Sequence, residues 1–397
     1  MNDPLLRFRK EFPILATTNY LVSNSLGAMP RSVPARLAEY ADQWATRGVR
    51  AWAQGWWEMP VTVGDEIAPL LGAATGEVAM VPNVSIAQAQ ILSSLDYAVD
   101  GRDTIVMTEM DFPSVRYVYD QLATRLGARI VVVPSDDGMS IDEDRLLAAI
   151  DERTRLVAIS HVLFRSAYVL DAARICAHAH RMGALVSLDA YHSVGIVPID
   201  VTAVQPDFLT GGVLKWLCGG PGGCFLWASP AVSEASAPAL TGWQAHEHPF
   251  AFEPEMTYAS GAWRWLTGTP SIPALFAAVA GPRLVREAGM SAIREKSVRQ
   301  TTRLIELADA RGFAVTAPRS ADRRGGTVAF DVPHAREVAQ ALLARDVIVD
   351  YRPGAGIRVA PHFYTSDGEV EGVVEHIDDI LAKGDWKRYT GDRLVVT

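Results

Sequence analysis

Two segments of the sequence place polar side chains in otherwise apolar surroundings. Asp189 and His192 follow the apolar run Leu185–Leu188, and Lys215 lies in a glycine-rich segment that ends at Gly223. Burial lowers the pKa of an amine and makes it available for a Schiff base. A buried carboxylate needs a cationic partner, which a protonated pyridine nitrogen can supply. Pyridoxal phosphate requires a lysine that bonds to its aldehyde and an aspartate that contacts its ring nitrogen. The sequence therefore predicts this cofactor. An exposed loop lysine and a helix-capping aspartate are the alternative.

The elements that must position these residues follow from hydrophobic periodicity. Short apolar runs alternate with helical patterns, which predicts a mostly parallel sheet covered by helices on both faces. The predicted strands are Glu77–Val81, Thr104–Met107, Arg129–Val133, Leu156–Ile159 and Leu185–Leu188, with Phe208–Thr210 and Gly223–Trp227 near the same sheet. The predicted helices between the strands include Ile86–Tyr97, Val115–Leu126, Glu143–Ile150 and Ala172–Met182. Asp189 then lies at the carboxyl edge of the sheet, where open α/β folds bind ligands.

The pattern changes after the glycine- and proline-rich region Gly268–Pro282. A long helical pattern covers Pro282–Ala310, and the later strands and helices lack strict alternation, which predicts a smaller α+β domain. We therefore expect a large cofactor-binding domain at residues 61–275 and a small C-terminal domain at 276–397. Residues 1–60 contain four tryptophans and helical signals, and we expect them to form an arm packed on the rest.

Composition excludes several classes of function. The 397 residues include 46 acidic and 37 basic side chains, for a net charge of −9, and no long basic run. Nucleic acid is therefore not an expected partner, because phosphate neutralisation needs clustered Lys and Arg. We find no apolar stretch of membrane-spanning length and no secretion signal at the N-terminus, so we expect a cytoplasmic protein without a membrane partner. Three scattered cysteines provide neither a disulfide framework nor a zinc site, and no metal is expected.

Six further motifs occur in one order along nearly the whole chain. They are Tyr20-Leu21 with Asn24-Ser25-Leu26-Gly27, Trp56-Trp57-Glu58-Met59-Pro60 with Val63-Gly64-Asp65-Glu66-Ile67-Ala68, Asp111-Phe112-Pro113-Ser114, Asp189-Ala190-Tyr191-His192, Gly242-Trp243 with His246-Glu247, and Ile357-Arg358-Val359-Ala360-Pro361. Together they resemble the kynureninase group of the class V aminotransferase superfamily, in which these segments read YLxxNSLG, GWxxxP…VGDxIA, NFPS/T, DxAH, GWxGHE and IRxAP. The resemblance implies a fold-type I pyridoxal-phosphate enzyme with a large mostly parallel-sheet α/β/α domain and a smaller α+β domain.

The resemblance assigns cofactor contacts to particular residues. It makes Lys215 the Schiff-base lysine and Asp189 the partner of the ring nitrogen. Phe112 and His192 would flank the two faces of the pyridine ring, and Ser160 would lie near Asp189. As ordinary core or strand-end residues, these last three would have no contact with a cofactor.

Phosphate and substrate contacts are also implied. Val84 and Ser85, at the start of a predicted helix, would bind the phosphate with a backbone amide and a hydroxyl, as helix N-termini bind anions; an ordinary serine helix cap is the alternative. Trp243 and Thr269 match positions that reach the phosphate from a neighbouring subunit, which implies a homodimer. Arg358 matches the arginine that binds the substrate α-carboxylate, a group suited to a bidentate guanidinium.

Ser25 is expected to line the same pocket as Arg358.

Two positions depart from the pattern of the group. Leu214 precedes the lysine where kynureninases carry a tyrosine whose hydroxyl contacts the phosphate, and Val115 stands where the group has an aspartate. A leucine cannot donate a hydrogen bond. These changes indicate an altered pocket or substrate.

The reaction implied is kynureninase-like hydrolytic cleavage of a Cβ–Cγ bond in an L-α-amino acid, either kynurenine or a modified substrate. An aminotransferase, lyase or epimerase acting on another amino acid is the alternative, because the residues do not reveal which bond breaks after the substrate has joined the cofactor. Desulfuration through a persulfide is disfavoured because no cysteine follows Cys224. From another class, the alternative is a cofactor-binding scaffold without catalysis.

Overall fold

A computed structural model describes residues 3–391 of the chain. Thirteen strands lie in this part of the sequence and form three sheets. In chain order they are β1 Asn19–Tyr20, β2 Val78–Val81, β3 Thr104–Thr108, β4 Arg129–Val133, β5 Thr154–Ser160, β6 Leu185–Asp189, β7 Phe208–Gly212, β8 Cys224–Ala228, β9 Ala314–Val315, β10 Val328–Asp331, β11 Val347–Ile348, β12 Asp350–Arg352 and β13 Gly356–Val359.

The central sheet has seven strands in the order β2-β8-β7-β6-β5-β3-β4. Every neighbouring pair between β4 and β7 is parallel, and β8 runs antiparallel to both of its neighbours. Its strands are almost continuously apolar because both faces are covered. The predicted mostly parallel sheet is confirmed, and the two strands expected on either side of Lys215 are β7 and β8.

The helices that cover this sheet belong to two separate apolar clusters, one on each face. Alternation along β2 shows the division, since Val78 and Met80 belong to one cluster and Ala79 and Val81 to the other. The α-helices of the described chain are α1 Val33–Arg47, α2 Met59–Leu71, α3 Val84–Ser93, α4 Pro113–Leu122, α5 Glu143–Ala148, α6 Ala172–Arg181, α7 Val201–Val204, α8 Pro230–Ala235, α9 Ile272–Ala278, α10 Ala280–Ala288, α11 Met290–Asp309, α12 Ala335–Leu343 and α13 Asp367–Lys383.

The expectation of one continuous helix over Pro282–Ala310 is wrong. The segment forms two helices, α10 and α11, because Gly289 between them has φ +85°. That backbone conformation is outside the helical region and is accessible mainly to glycine. Polar and apolar spacing alone did not reveal this break.

The C-terminal part builds a second, antiparallel sheet in the order β12-β13-β10-β9, with its own apolar cluster. The N-terminal segment joins this part through β1, which pairs in parallel with β11. The domain limits at residues 60 and 275 remain predictions. None of the helices between residues 3 and 391 is long and apolar enough to cross a membrane.

The N-terminal loop that follows β1 packs directly on the segment around Lys215. The backbone N–H of Gly27 donates to the carbonyl of Leu214 at 2.9 Å. A Cβ atom on Gly27 would lie 2.2 Å from the carbonyl oxygen of Lys215 and 2.8 Å from the Cα of Cys218. A side chain at position 27 would therefore displace the lysine segment.

We predict that Gly27→Ala lowers the free energy of unfolding by about 1–3 kcal/mol, because its methyl group overpacks this contact. Gly372→Ala is the control, since nothing lies within 4 Å of its added Cβ within α13. That variant should be neutral or more stable by up to about 1 kcal/mol. Urea unfolding of both variants checks the prediction, and equal stability would contradict the close packing described above.

Candidate functional site

A cavity of about 550 Å³ lies at the carboxyl edge of the central sheet. This volume is within the usual range for small-molecule sites. The residues that line it come from the ends of β2, β5, β6 and β7 and from the starts of α3 and α4. They are Asn83, Val84, Ser85, Ile86, Phe112, Ser114, Ser160, Val162, Phe164, Asp189, Tyr191, His192, Leu214 and Lys215.

Seven of the residues predicted to contact the cofactor share this cavity. They are Val84, Ser85, Phe112, Ser160, Asp189, His192 and Lys215. They meet because parallel strands end at the same edge of a sheet, so residues up to 131 positions apart in sequence become neighbours. The predicted residues come from separate segments of the sequence, and the fold brings them together in one cavity.

The amine of Lys215 lies in this cavity, and no carboxylate of the described residues 3–391 is in contact with it. Its Nζ is 2.5 Å from Nε2 of His192 and lies 5.4 Å from the ring centre of Phe112. Burial, and then the positive charge of Arg358, lower the pKa of Lys215 to about 7. Burial and the nearby Lys215 also hold the pKa of His192 well below its usual value, so this imidazole is neutral.

A second buried lysine shows what a structural amine looks like in this chain. Nζ of Lys296 lies 2.8 Å from a carboxylate oxygen of Asp3 and 2.7 Å from the carbonyl of Phe363. Its charge is thus compensated. The hydrogen-bonding partner of Lys215 within residues 3–391 is a neutral imidazole instead of a carboxylate, which favours the neutral, nucleophilic amine.

Asp189 presents a carboxylate to the same cavity. Its Oδ1 accepts a hydrogen bond from the backbone N–H of Tyr191 at 2.9 Å, and no residue between 3 and 391 donates to its Oδ2. Burial raises its pKa to about 6. A pyridinium N–H is the type of group that this remaining oxygen can accept.

Asp111 fixes the strand ends beside Asp189. Its two carboxylate oxygens accept hydrogen bonds from the backbone N–H groups of Thr108, at 2.8 Å, and Ser160, at 2.7 Å. Ser160 is also the register partner of Asp189 in neighbouring strands. The carboxylate of Asp111 therefore ties the end of β3 to the end of β5 and orients Phe112, the next residue.

The start of α3 provides a place for an anion. Asn83 caps the helix, with its side-chain oxygen accepting from the N–H of Ile86 at 3.0 Å. The first backbone N–H groups of the helix, at Val84 and Ser85, have no acceptor within the helix and face the cavity. Such N–H groups and the helix dipole favour a phosphate.

The cavity therefore fits pyridoxal phosphate in each chemical feature. It offers anion donors at one end, an unshared carboxylate oxygen for a ring nitrogen, aromatic side chains for the ring and an uncharged amine for the aldehyde. The fit is judged from the hydrogen-bond donors and acceptors that the cavity residues present.

Arg358 lies outside the cavity lining, beneath its Phe164 wall. Its Nε donates to Asp350 at 2.7 Å, a second N–H group contacts the other oxygen of Asp350, and a third donates to the carbonyl of Phe164. Arg352 also contacts Asp350, at 3.3 Å. Two guanidinium groups share one buried carboxylate, which leaves one positive charge in excess near the site.

The remaining predicted residues lie elsewhere in the single chain. Trp243 and Thr269 line a separate cavity with Trp57 and Phe250. Ser25 is half-buried in the N-terminal loop and does not line the lysine cavity. Among residues 3–391, Trp243 and Thr269 therefore do not line the lysine cavity.

The chain matches the family described as Aminotransferase class-V over residues 19–365. It belongs to the class-V aminotransferase family. A kynureninase from Burkholderia pseudomallei (strain 1106a) is 33% identical over 398 residues, covering 97% of this chain and 94% of that protein. A kynureninase from Pseudomonas fluorescens has the same identity and coverage. The predicted family, cofactor and enzyme class are confirmed.

Solved structures agree with the fold of this family. An apo cysteine desulfurase from Thermococcus onnurineus NA1 superposes with a TM-score of 0.85 at 23% identity, covering 97% of this chain and 99% of that one. A mutant of C-DES, with glycine covalently linked to its PLP cofactor, gives a TM-score of 0.85 at 21% identity, covering 94% of this chain and 99% of that one. The predicted fold-type I architecture is confirmed.

Sequence reasoning missed some residues and misplaced one. Val115 is buried in the apolar cluster between the sheet and α4 and does not line the cavity, whereas Leu214 does. Tyr191 and Phe164 line the cavity but were not predicted to do so. The position of Tyr191 between Asp189 and His192 was a usable signal, because a turn at a strand end brings consecutive side chains to one edge.

We predict that the apoenzyme binds pyridoxal phosphate with a pH dependence set by Lys215. Only the neutral amine attacks an aldehyde, so the rate should rise with pH and level off above the pKa of about 7. An ordinary lysine would keep gaining reactivity up to about pH 10.4. Stopped-flow absorbance measures this rate.

The matched variant for this measurement is Asp189→Asn. The carboxylate of Asp189 attracts the ammonium form of Lys215 and raises its pKa, so its loss should move the midpoint to lower pH. A wild-type rate that still increases tenfold per pH unit above pH 8 would contradict a depressed lysine pKa.

Proposed function

We propose that this protein is a pyridoxal-phosphate enzyme that hydrolyses the Cβ–Cγ bond of an L-α-amino acid of the kynurenine type. The observation that carries the proposal is one cavity that holds a lysine in contact with an imidazole, an unshared aspartate oxygen and a helix N-terminus, in a chain 33% identical to kynureninases over 97% of its length. Water is consumed, and the products are alanine and an aromatic acid of the anthranilate type.

Each residue of the cavity has a role in this proposal. Bound pyridoxal phosphate supplies an electron-withdrawing ring that eases bond breaking next to the substrate Cα. Asp189 holds the proton on the ring nitrogen through its free Oδ2. The Val84 and Ser85 N–H groups bind the phosphate, Phe112 and His192 contact the ring, and Ser160 lies beside Asp189.

Lys215 has two roles because its pKa of about 7 leaves a large fraction of the amine neutral near pH 7. Its Nζ would hold the cofactor through the aldehyde, and when not bonded to the cofactor the same Nζ would accept and return a proton at the substrate carbon. His192 accepts a hydrogen bond from this amine and holds it in place. No other lysine between residues 3 and 391 lines the cavity.

The substrate α-carboxylate binds to the excess positive charge of the arginine pair. Asp350 orients Arg358 through two hydrogen bonds, and a guanidinium has further N–H groups that can bind a carboxylate. Ser25 lies near this side of the site, in the loop whose Gly27 bonds to Leu214.

Persulfide-forming desulfuration is the less favoured reaction, although the superposed structures include cysteine desulfurases. That reaction needs an accessible thiol. Cys176, Cys218 and Cys224 are all buried, and burial holds the pKa of each thiol well above its usual value. These thiols are inert.

The proposed active unit is a homodimer in the cytoplasm with shared active sites. Trp243 is 43% exposed and Phe250 63% exposed, and both pack with Trp57 in an aromatic surface. Such an exposed apolar surface is typical of an interface. A second subunit covering it places Trp243 and Thr269 at the partner's phosphate site.

We predict that the purified protein converts L-kynurenine or L-3-hydroxykynurenine to alanine and the matching anthranilate in equal amounts. Lys215→Ala should lower the rate roughly a thousandfold or more, since proton transfer at the substrate carbon is lost. Lys10→Ala, at an exposed lysine, is the control. Mass spectrometry of the products decides the reaction.

Other products of the same assay would contradict hydrolysis. Pyruvate with ammonia would indicate a lyase, a keto acid an aminotransferase, and a racemised substrate an epimerase. Bound cofactor without any change of a panel of amino acids would indicate a non-catalytic scaffold.

The shared site predicts complementation between two inactive variants. Mixed subunits of Lys215→Ala and Trp243→Ala form heterodimers in which one of the two sites has both native residues. After unfolding and refolding together, activity should return to about a quarter of wild type. Activity that stays at the level of the separate variants would contradict the shared site.

A further inference from the structure

We infer that Tyr191 is a cofactor-contacting residue, whose hydroxyl donates a hydrogen bond to the phosphate of bound pyridoxal phosphate. The inference rests on the proposed cofactor site but not on the proposed reaction. Tyr191 lines the cavity, and its phenol has no role in the proposed reaction.

The position of Tyr191 is fixed at both ends. Its backbone N–H is bonded to Asp189, and Nζ of Lys215 lies 4.9 Å from the centre of its ring. The end of the ring packs on Gly212, where an added Cβ would lie 2.1 Å from Cζ and 2.2 Å from the hydroxyl oxygen of Tyr191. Position 212 must therefore be glycine for this phenol to fit.

This packing directs the hydroxyl toward the phosphate end of the cavity. Gly212 pairs with Cys224, and Cys224 pairs with Val81. Val81 is two residues before Asn83, the cap of α3. Gly212 lies on β7, between β6, which ends at Asp189, and β2, which precedes α3, so the hydroxyl over Gly212 lies on the side of Asp189 that faces the start of α3.

The hydroxyl is available to a ligand. It makes no hydrogen bond with any residue between 3 and 391, and the side chain is partly exposed to the cavity. Burial raises the pKa of Tyr191 above its usual value, so the phenol stays protonated and can donate. A buried or half-buried hydroxyl without a partner costs stability unless a bound ligand supplies one.

The neighbouring Leu214 explains why the chain needs this donor. Leu214 lines the same cavity and offers no polar atom. The phenol of Tyr191 occupies the space above Gly212, and Leu214 lines the same cavity two residues further along the chain. In this chain the phenol in the cavity belongs to Tyr191, which follows β6. In kynureninases a phenol comes from the tyrosine that precedes the lysine, at the position of Leu214.

The test compares binding of pyridoxal phosphate and of pyridoxal, which lacks the phosphate, to apoenzyme. Tyr191→Phe should weaken pyridoxal phosphate roughly tenfold, as expected for a lost hydrogen bond to a charged group, and leave pyridoxal unchanged. The double variant Tyr191→Ala with Leu214→Tyr should recover most of the affinity for pyridoxal phosphate. Tyr117→Phe, at an exposed tyrosine of α4, is the control.

Three results would overturn the inference: equal weakening of both ligands in Tyr191→Phe, no weakening of either, or a double variant no better than Tyr191→Ala alone. Thermal unfolding of each apo variant separates a loss of folding from a loss of binding, since Tyr191→Phe should keep the wild-type midpoint. Wild-type protein that binds pyridoxal phosphate without cleaving kynurenine would contradict the proposed reaction and leave this inference standing. Wild-type protein that binds no pyridoxal phosphate would contradict both.

Discussion

The half-buried amine of Lys215 contacts no carboxylate among residues 3–391, and much of the structure follows from this constraint. A lysine charge in a dry site is costly, and the chain neutralises Lys296 with Asp3 but leaves Lys215 beside a neutral imidazole. Seven strands covered on both faces form the scaffold of the site, and the ends of these strands bring Lys215, Asp189 and the start of α3 to the same edge.

The second sheet contributes through one buried ion pair. Asp350 and Arg358 are register partners in β12 and β13, and both are almost completely buried. Because a guanidinium N–H of Arg358 also donates to the carbonyl of Phe164, the pair joins the C-terminal sheet to the wall of the cavity. Removing Asp350 alone would leave a buried, unpaired charge, so the role of Arg358 depends on this aspartate as much as on its own position.

Local sequence patterns predicted the parts of the molecule that local physics determines. The central strands have apolar runs that can be read directly, and Asp189 and Lys215 stood out as polar residues in apolar segments. The break at Gly289 was missed because helical spacing continues on both sides of it. The pairing of Asp350 with Arg358 depends on strand register, and the contact of Tyr191 with Gly212 depends on the packing of two strand ends. Neither relationship is visible in one segment taken alone.

Reduction of the cofactor-loaded protein with borohydride, followed by peptide mapping, tests the central claim most directly. The account predicts that the reduced cofactor is fixed on Lys215, because this amine is neutral and faces the cavity. Lys296 is also buried but is paired with Asp3, and its peptide should carry no label. Label on Lys296, or on an exposed lysine with none on Lys215, would contradict the claim that the sheet edge holds an uncharged lysine for the cofactor.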